Sequence, residues 1–298
     1  MIWWAGSTIV QQWTEFRRSG ARVELRALPL VTSAAIVLVA YAVLIETWRR
    51  TVRAWGARMG WSDATRIWMI SNLGRYIPGK VWQIGAMGYM ARAVGVSPLV
   101  ATGSSLVINL VNLLAGFGVV FVTGTSVLGN PALTATVALL LVVGMVATPW
   151  LTPWLGKLAG TVLGRPIVVP RLPHSALWVA AIGCVVAWLL YGIAFELLVI
   201  AVLGEAPGPT TSYVAAFTGS YLLGYIAIFT PGGLAVREQS LVGLLGRLAL
   251  AGGGAAGVIA LASRLWLTVL EVIPGAVLLA HQTLRRRRSS TPTHATNV

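Results

Sequence analysis

The chain has a single cysteine, Cys184, and two lysines, Lys80 and Lys157, among its 298 residues. One cysteine excludes an internal disulfide, and no Cys/His grouping has metal-ligand spacing. Cys184 reads as a small apolar packing residue. Charge of any kind is scarce, at 10% of residues, where soluble domains carry about 25%. Acid is scarcer still: 8 Asp and Glu stand against 22 Lys and Arg, for a net charge of +14. The basic residues are almost all arginine, and they gather at the ends of apolar runs. That placement follows the positive-inside rule and argues against nucleic acid as a partner. It also suits anionic lipid headgroups. Met1 to Gln12 lacks the basic leader and small-residue cleavage site of a signal peptide.

What the chain has in abundance is apolar sequence. Hydrophobic residues make up 57% and mean hydropathy is +0.80. Several runs reach the ~20 residues that cross a bilayer. The expected fold is therefore all-α, a polytopic integral membrane protein.

Residues 1–27 mix Trp3, Trp4, Trp13 and Phe16 with Arg17, Arg18, Arg22 and Arg26, an interfacial amphipathic pattern. Residues 28–282 hold the transmembrane domain. Spans are expected near 28–48, 99–123, 132–150, 175–203 and 255–280, in an arrangement of about six full spans plus two re-entrant Pro-Gly hairpins. Residues 283–298, with Arg285 to Arg288, read as a basic, disordered cytoplasmic tail. A short helix from about Asp63 to Leu73 is expected to be capped by Ser62 or Asp63.

Two segments break the helical pattern. The first is Asn72-Leu73-Gly74-Arg75-Tyr76-Ile77-Pro78-Gly79-Lys80, between short helices at 63–73 and 80–94. The second is Phe229-Thr230-Pro231-Gly232-Gly233-Leu234-Ala235-Val236-Arg237-Glu238, between 213–229 and 234–248. Proline removes a backbone donor and clashes with the preceding turn. In hydrocarbon, freed backbone groups are tolerated only where protein or a water-filled cavity satisfies them. Pro78, Gly79, Pro231, Gly232 and Gly233 are thus expected to form two re-entrant hairpins. Loop charges place the first opening to the cytoplasm and the second to the outside, an inverted pseudo-repeat.

Arg75, Lys80 and Arg92 flank the first break, and guanidinium forks match phosphate oxygens. Snorkelling to the headgroup layer is the bland reading of the same residues. Arg237 and Glu238 follow the second break. A charge at the bilayer centre costs roughly 2.5–3.5 kcal/mol, so it faces a cavity or a partner. Arg264 and Glu271 lie seven apart, on one helical face. Arg264 is the expected partner of Glu238 or of substrate. Glu196 lies deep in its own span. Asn109 and Asn112 are one turn apart and read as interhelical glue. No nucleophile–base–metal constellation supports an enzyme, and no cofactor is expected.

At these two motifs the chain resembles the lysylphosphatidylglycerol synthase transmembrane-region family, a flippase-like membrane domain, over roughly residues 37–279. The matching residues are Asn72 to Lys80, then Arg92 and Gly95-Val96-Ser97, and later Pro231-Gly232-Gly233-Leu234 with Arg237-Glu238 and Arg264. It departs from the family at Ile108, Asn109 and Asn112, where charged residues are common, and at Ala235, where Gly is usual. No aminoacyltransferase domain is present in the chain. The resemblance implies movement or binding of an anionic lipid, such as a polyprenyl-phosphate-linked carrier or a phospholipid, in the inner cell membrane. The substrate-binding set it implies is Arg75, Lys80, Arg92, Arg237, Glu238 and Arg264. The alternative is a non-transporting lipid-binding scaffold for an envelope-biosynthesis enzyme such as a membrane glycosyltransferase.

Overall fold

The computed structural model describes residues 25–76, 81–124, 173–226 and 235–289, with isolated positions between 135 and 153. Those residues form helices and no strand. In chain order they are α1 (Ala27–Ala54), α2 (Trp61–Asn72) with a 3-10 turn at Leu73–Tyr76, α3 (Val81–Arg92), α4 (Pro98–Thr123), α5 (His174–Leu203), α6 (Thr210–Ile226), α7 (Val236–Arg247) and α8 (Gly253–Ser289). Four of them, α1, α4, α5 and α8, are long and apolar enough to cross a membrane. At about 1.5 Å per residue, the 28 residues of α1 exceed a ~30 Å hydrocarbon core. This is the architecture of a helical, membrane-embedded protein.

Small and hydroxylic residues let the long helices approach. The most extensive packing is α1 against α5. There the buried Ser33 Oγ donates to the Ala194 carbonyl at 2.7 Å. A Cβ on Gly183 would strike the Thr47 side chain. Gly192 of α5 packs as closely on Val214 of α6. Trp48 Nε1 ties α1 to Ser104 Oγ of α4 at 3.0 Å. Without a hydrophobic drive between helices in lipid, such close backbones and cross-helix hydrogen bonds hold the bundle. The helices α1 and α5 run antiparallel: Arg26, just before α1, donates from Nη1 to the carbonyl of Gly204, just after α5, at 2.7 Å.

The short helices pack in two pairs, one across each break. In the first, Gln83 Nε2 of α3 donates to Asn72 Oδ1 of α2 at 2.6 Å. A Cβ on Gly74 would stand 2.7 Å from the Gln83 backbone nitrogen, so only glycine fits. In the second, a Cβ on Gly224 of α6 would stand 2.8 Å from the Arg237 Cβ of α7. The helix α8 spans both pairs. A Cβ on its Gly275 would lie 2.9 Å from the Met69 carbonyl oxygen and from Leu73, and its Arg264 faces Glu238 of α7.

Several boundaries differ from the sequence expectation. The helix α1 continues past Trp48 to Ala54. Glu46 accepts from Arg49 and Arg50 one turn on, at 2.7 and 2.8 Å, which carries the helix beyond its apolar run. Neither Ser62 nor Asp63 caps α2. Its N-cap is Gly60, with no side-chain hydrogen bond, and Asp63 instead accepts from Arg66 at 2.8 Å. The helix α8 runs on to Ser289, through the arginine cluster assigned to the tail. Pro274 is accommodated within it. The amphipathic segment up to Glu24, most of the 132–150 span, and the breaks Pro78, Gly79, Pro231, Gly232 and Gly233 lie outside the described residues.

Candidate functional site: a charged seam beside an aromatic cavity

Three residues of α8 set the site. Arg264, Leu267 and Glu271 are spaced three and four apart, so they share one face of the helix. Gly275 continues the same stripe toward α2. Arg264 meets the second helix pair, Leu267 and Glu271 reach the centre of the bundle, and Gly275 meets the first pair.

Arg237 enters from the first turn of α7. It is buried at 6% exposure. Its guanidinium carbon lies 4.9 Å from the Tyr221 ring centroid and 5.4 Å from that of Phe217. A cation over a ring face is attracted by the ring quadrupole, most strongly when desolvated. Its Nη2 is buried and has no hydrogen-bond partner among the described residues. Gly224 is what lets Arg237 come so close to α6.

Glu238 has two tasks. Its Oε2 accepts from the Ala235 backbone N–H at 2.8 Å, at the start of α7. Ala235 cannot return a side-chain bond, so only half of a capping box forms. Its Oε1 lies 3.7 Å from Arg264 Nη1, beyond hydrogen-bond range but within a Coulombic contact. Glu271 is buried at 9% exposure. Two cations and two carboxylates thus form a charge-balanced seam inside an apolar bundle, as buried charges require.

A central cavity of ≈ 90 Å³ adjoins this seam. Its aromatic wall comes from Tyr41, Trp68, Trp188, Tyr191, Phe217, Tyr221 and Tyr225. Its polar groups are Asn72, Asn109, Asn112 and Glu271. The rings brace one another: Trp188 meets Tyr221 edge-on at 5.4 Å, and Tyr191 stacks on Phe217 at 6.0 Å. Trp188 Nε1 is anchored to the Asn112 carbonyl at 2.9 Å. Asn72 reaches the cavity from the first helix pair while bonded to Gln83, so both pairs contribute to one chamber.

Of the residues singled out from sequence, the structure brings Arg237, Glu238 and Arg264 together, with Glu271 beside them. Arg92 is exposed in the last turn of α3 and is not among the described residues that line the cavity. Arg75 falls in the 3-10 turn after α2. Lys80 lies outside the described residues. Glu196 is half-buried on α5 and is not among the cavity-lining residues. Asn109 and Asn112 both line the cavity. Asn109 Nδ2 donates within α4, to the Ser105 carbonyl at 2.8 Å.

The aromatic wall was missed. Trp and Tyr in a membrane sequence read first as interfacial anchors. The signal was the spacing of Tyr213, Phe217, Tyr221 and Tyr225, every fourth residue before the second break, which puts four rings along one face of α6.

No protein-family model matches the chain, and no curated protein matches it. The chemistry of the site therefore has to be argued from its own geometry.

Proposed function

We propose that the protein is a lipid flippase or transporter of the inner cell membrane, acting on a lipid with an anionic headgroup. The observation that carries this reading is the seam of Arg237, Glu238, Arg264 and Glu271, with Arg237 and Glu271 buried and Glu238 and Arg264 half-buried, against a cavity that both helix pairs help to line. Ionisable residues inside a membrane are costly and serve substrate or ion pathways by default.

In this reading the two broken helix pairs are re-entrant hairpins that enter from opposite faces. With about six full spans they form an inverted pseudo-repeat, the layout of many secondary transporters. The order of the two Pro-Gly breaks, and their resemblance to the flippase-like family, support that layout. Arg75, Lys80 and Arg92 would meet the headgroup from the cytoplasmic side, where the C-terminus also lies. Arg237 and Arg264 would receive it deeper, while the tails stay in the bilayer. Rocking of one half against the other then alternates access.

The positive φ of Ala235, +71° at the start of α7, fits this reading too. Glycine is the residue suited to that conformation, and glycine is usual there in the family the motif resembles.

The small cavity favours a second reading. At ≈ 90 Å³ it would hold part of a headgroup but not pass one. A lipid-binding scaffold for a membrane glycosyltransferase would need no more. Proteoliposomes carrying a fluorescent phosphatidylglycerol separate the two. A transporter moves the probe between leaflets, and Arg237→Glu abolishes the movement. A scaffold gives no movement above empty vesicles even in the wild type.

A further inference from the structure

Among the described residues the seam carries no net charge: Arg237 and Arg264 stand against Glu238 and Glu271. A lipid phosphate that joined it unaccompanied would leave one negative charge over. Inside a membrane bundle such a charge is costly. Either a cation enters with the lipid, or one carboxylate gives up its charge. The arginines cannot make up the difference, because they are already charged.

A metal ion is the poorer match. The described residues hold no group of three His, Cys, Asp or Glu side chains that could ligate one, and Glu238 Oε2 already accepts from the Ala235 N–H. A proton needs a single oxygen. Glu238 Oε1 is buried and has no hydrogen-bond partner among the described residues. It stands 3.7 Å from Arg264 Nη1, so protonation there breaks no hydrogen bond with it. The new O–H is a donor, and Oε2 keeps its bond at the start of α7.

The helices packed on α7 are α6 and α8. They bring Tyr221, Arg264 and Glu271 to the seam, and α7 itself brings Arg237. With Glu238 protonated, two cations face one carboxylate, Glu271, and the seam carries one net positive charge. An anion restores the balance. Arg237 Nη2, a buried donor with no hydrogen-bond partner among the described residues, suits a phosphate oxygen. The same proton also bears on access. Charge, without a hydrogen bond, draws Glu238 to Arg264 across the α7–α8 contact, and protonation removes that attraction.

We infer that the protein takes up one proton with each anionic lipid it binds, on Glu238 Oε1. The proton comes from water and forms an O–H bond on the carboxylate. Release of the lipid returns it to water and restores the charge beside Arg264. This rests on the anionic-lipid reading and adds its coupling ion.

The test titrates the full chain, in mild detergent, with dioctanoyl-phosphatidylglycerol, whose phosphodiester keeps one negative charge through the neutral range. A pH indicator in weak buffer counts protons taken up, and calorimetry reads affinity against pH. About one proton per lipid is expected. By linkage, affinity then rises up to about tenfold for each unit the pH is lowered. Glu238→Gln, which holds the neutral form permanently, should lose the uptake and bind with an affinity flat in pH. Glu196→Gln, on α5, should keep both. Glutamates labelled with carbon-13 at the carboxyl place the proton by NMR. The resonance missing from Glu238→Gln is expected to move to a carboxylic-acid position when lipid binds. Movement of the resonance missing from Glu271→Gln instead overturns the assignment to Glu238. Lipid binding without proton uptake, or an affinity that follows sodium rather than pH, overturns the proton and leaves the anionic-lipid reading standing. No preference for phosphatidylglycerol over dioctanoyl-phosphatidylcholine overturns that reading, and the proton with it.

Discussion

Gly224 and Arg237 stand on opposite sides of the second break, so close that a Cβ on the glycine would lie 2.8 Å from the arginine's own Cβ. That contact closes α6 on α7 and seats the guanidinium over Tyr221 and Phe217. Most of what the site can do depends on it.

Gly224→Ala should therefore cost about 1–3 kcal/mol, the usual penalty of overpacking a closed contact. Thermal unfolding in detergent measures it. Gly243→Ala on the same α7 is the control, because a Cβ there meets nothing within 4 Å. It should be neutral, or stabilise by up to about 1 kcal/mol through helix propensity. Equal losses at both positions would mean that the α6–α7 contact is not what Gly224 serves.

Arg237→Met keeps the length and removes the charge. It strands Glu238 and Glu271 beside a single cation, Arg264, and should destabilise by about 3 kcal/mol, as breaking buried ion pairs does. Arg237→Lys should lose less. It keeps the charge but not the planar face that lies on the rings. A lysine variant as damaged as the methionine one would locate the role in guanidinium geometry rather than in charge.

The two tasks of Glu238 can be separated. Glu238→Gln keeps an acceptor for the Ala235 N–H but gives up the charge facing Arg264. Glu238→Ala gives up both, and should cost about 1 kcal/mol more, the worth of a helix N-terminal acceptor. In a double-mutant cycle with Arg264→Gln, the glutamine variant should report a coupling of about 1 kcal/mol for the 3.7 Å pair. No coupling would show that the two charges act independently.

Ala235→Gly should raise the midpoint of thermal unfolding. At φ +71° an alanine pays the clash of its Cβ with the backbone, about 1 kcal/mol, and glycine does not. A lower midpoint would show that the methyl group is packed rather than strained.

Much of the architecture was legible in the sequence, for physical reasons. Apolar runs near 30 Å in length read directly as α1, α4, α5 and α8. The helices α2 and α3, and α6 and α7, lie on either side of the two Pro-Gly segments, where a proline cannot continue a helix without losing a bond. Arg264 as partner of Glu238 followed from the cost of a lone charge in hydrocarbon. Other features could not be read that way. Arg92 shares a sequence neighbourhood with Arg75, but a 12-residue helix carries it to the far end of α3. The role of Gly275 depends on α2 crossing α8 at that point, which no local pattern encodes. The ladder from Tyr213 to Tyr225 was present in the spacing. In a bilayer sequence, though, aromatic residues look alike whether they face headgroups or a cavity.

The most direct measurement is the lipid carried by the protein itself. The full chain is purified in mild detergent as wild type, Arg237→Ala and Arg92→Ala, and bound lipids are identified by native mass spectrometry. A headgroup site at the buried seam predicts a selected anionic lipid on the wild type and its loss from Arg237→Ala. Arg92→Ala should keep most of it, since Arg92, exposed at the end of α3, would meet the headgroup on entry and not hold it at the seam. Equal, unselective lipid on all three proteins would contradict a headgroup site between the two helix pairs.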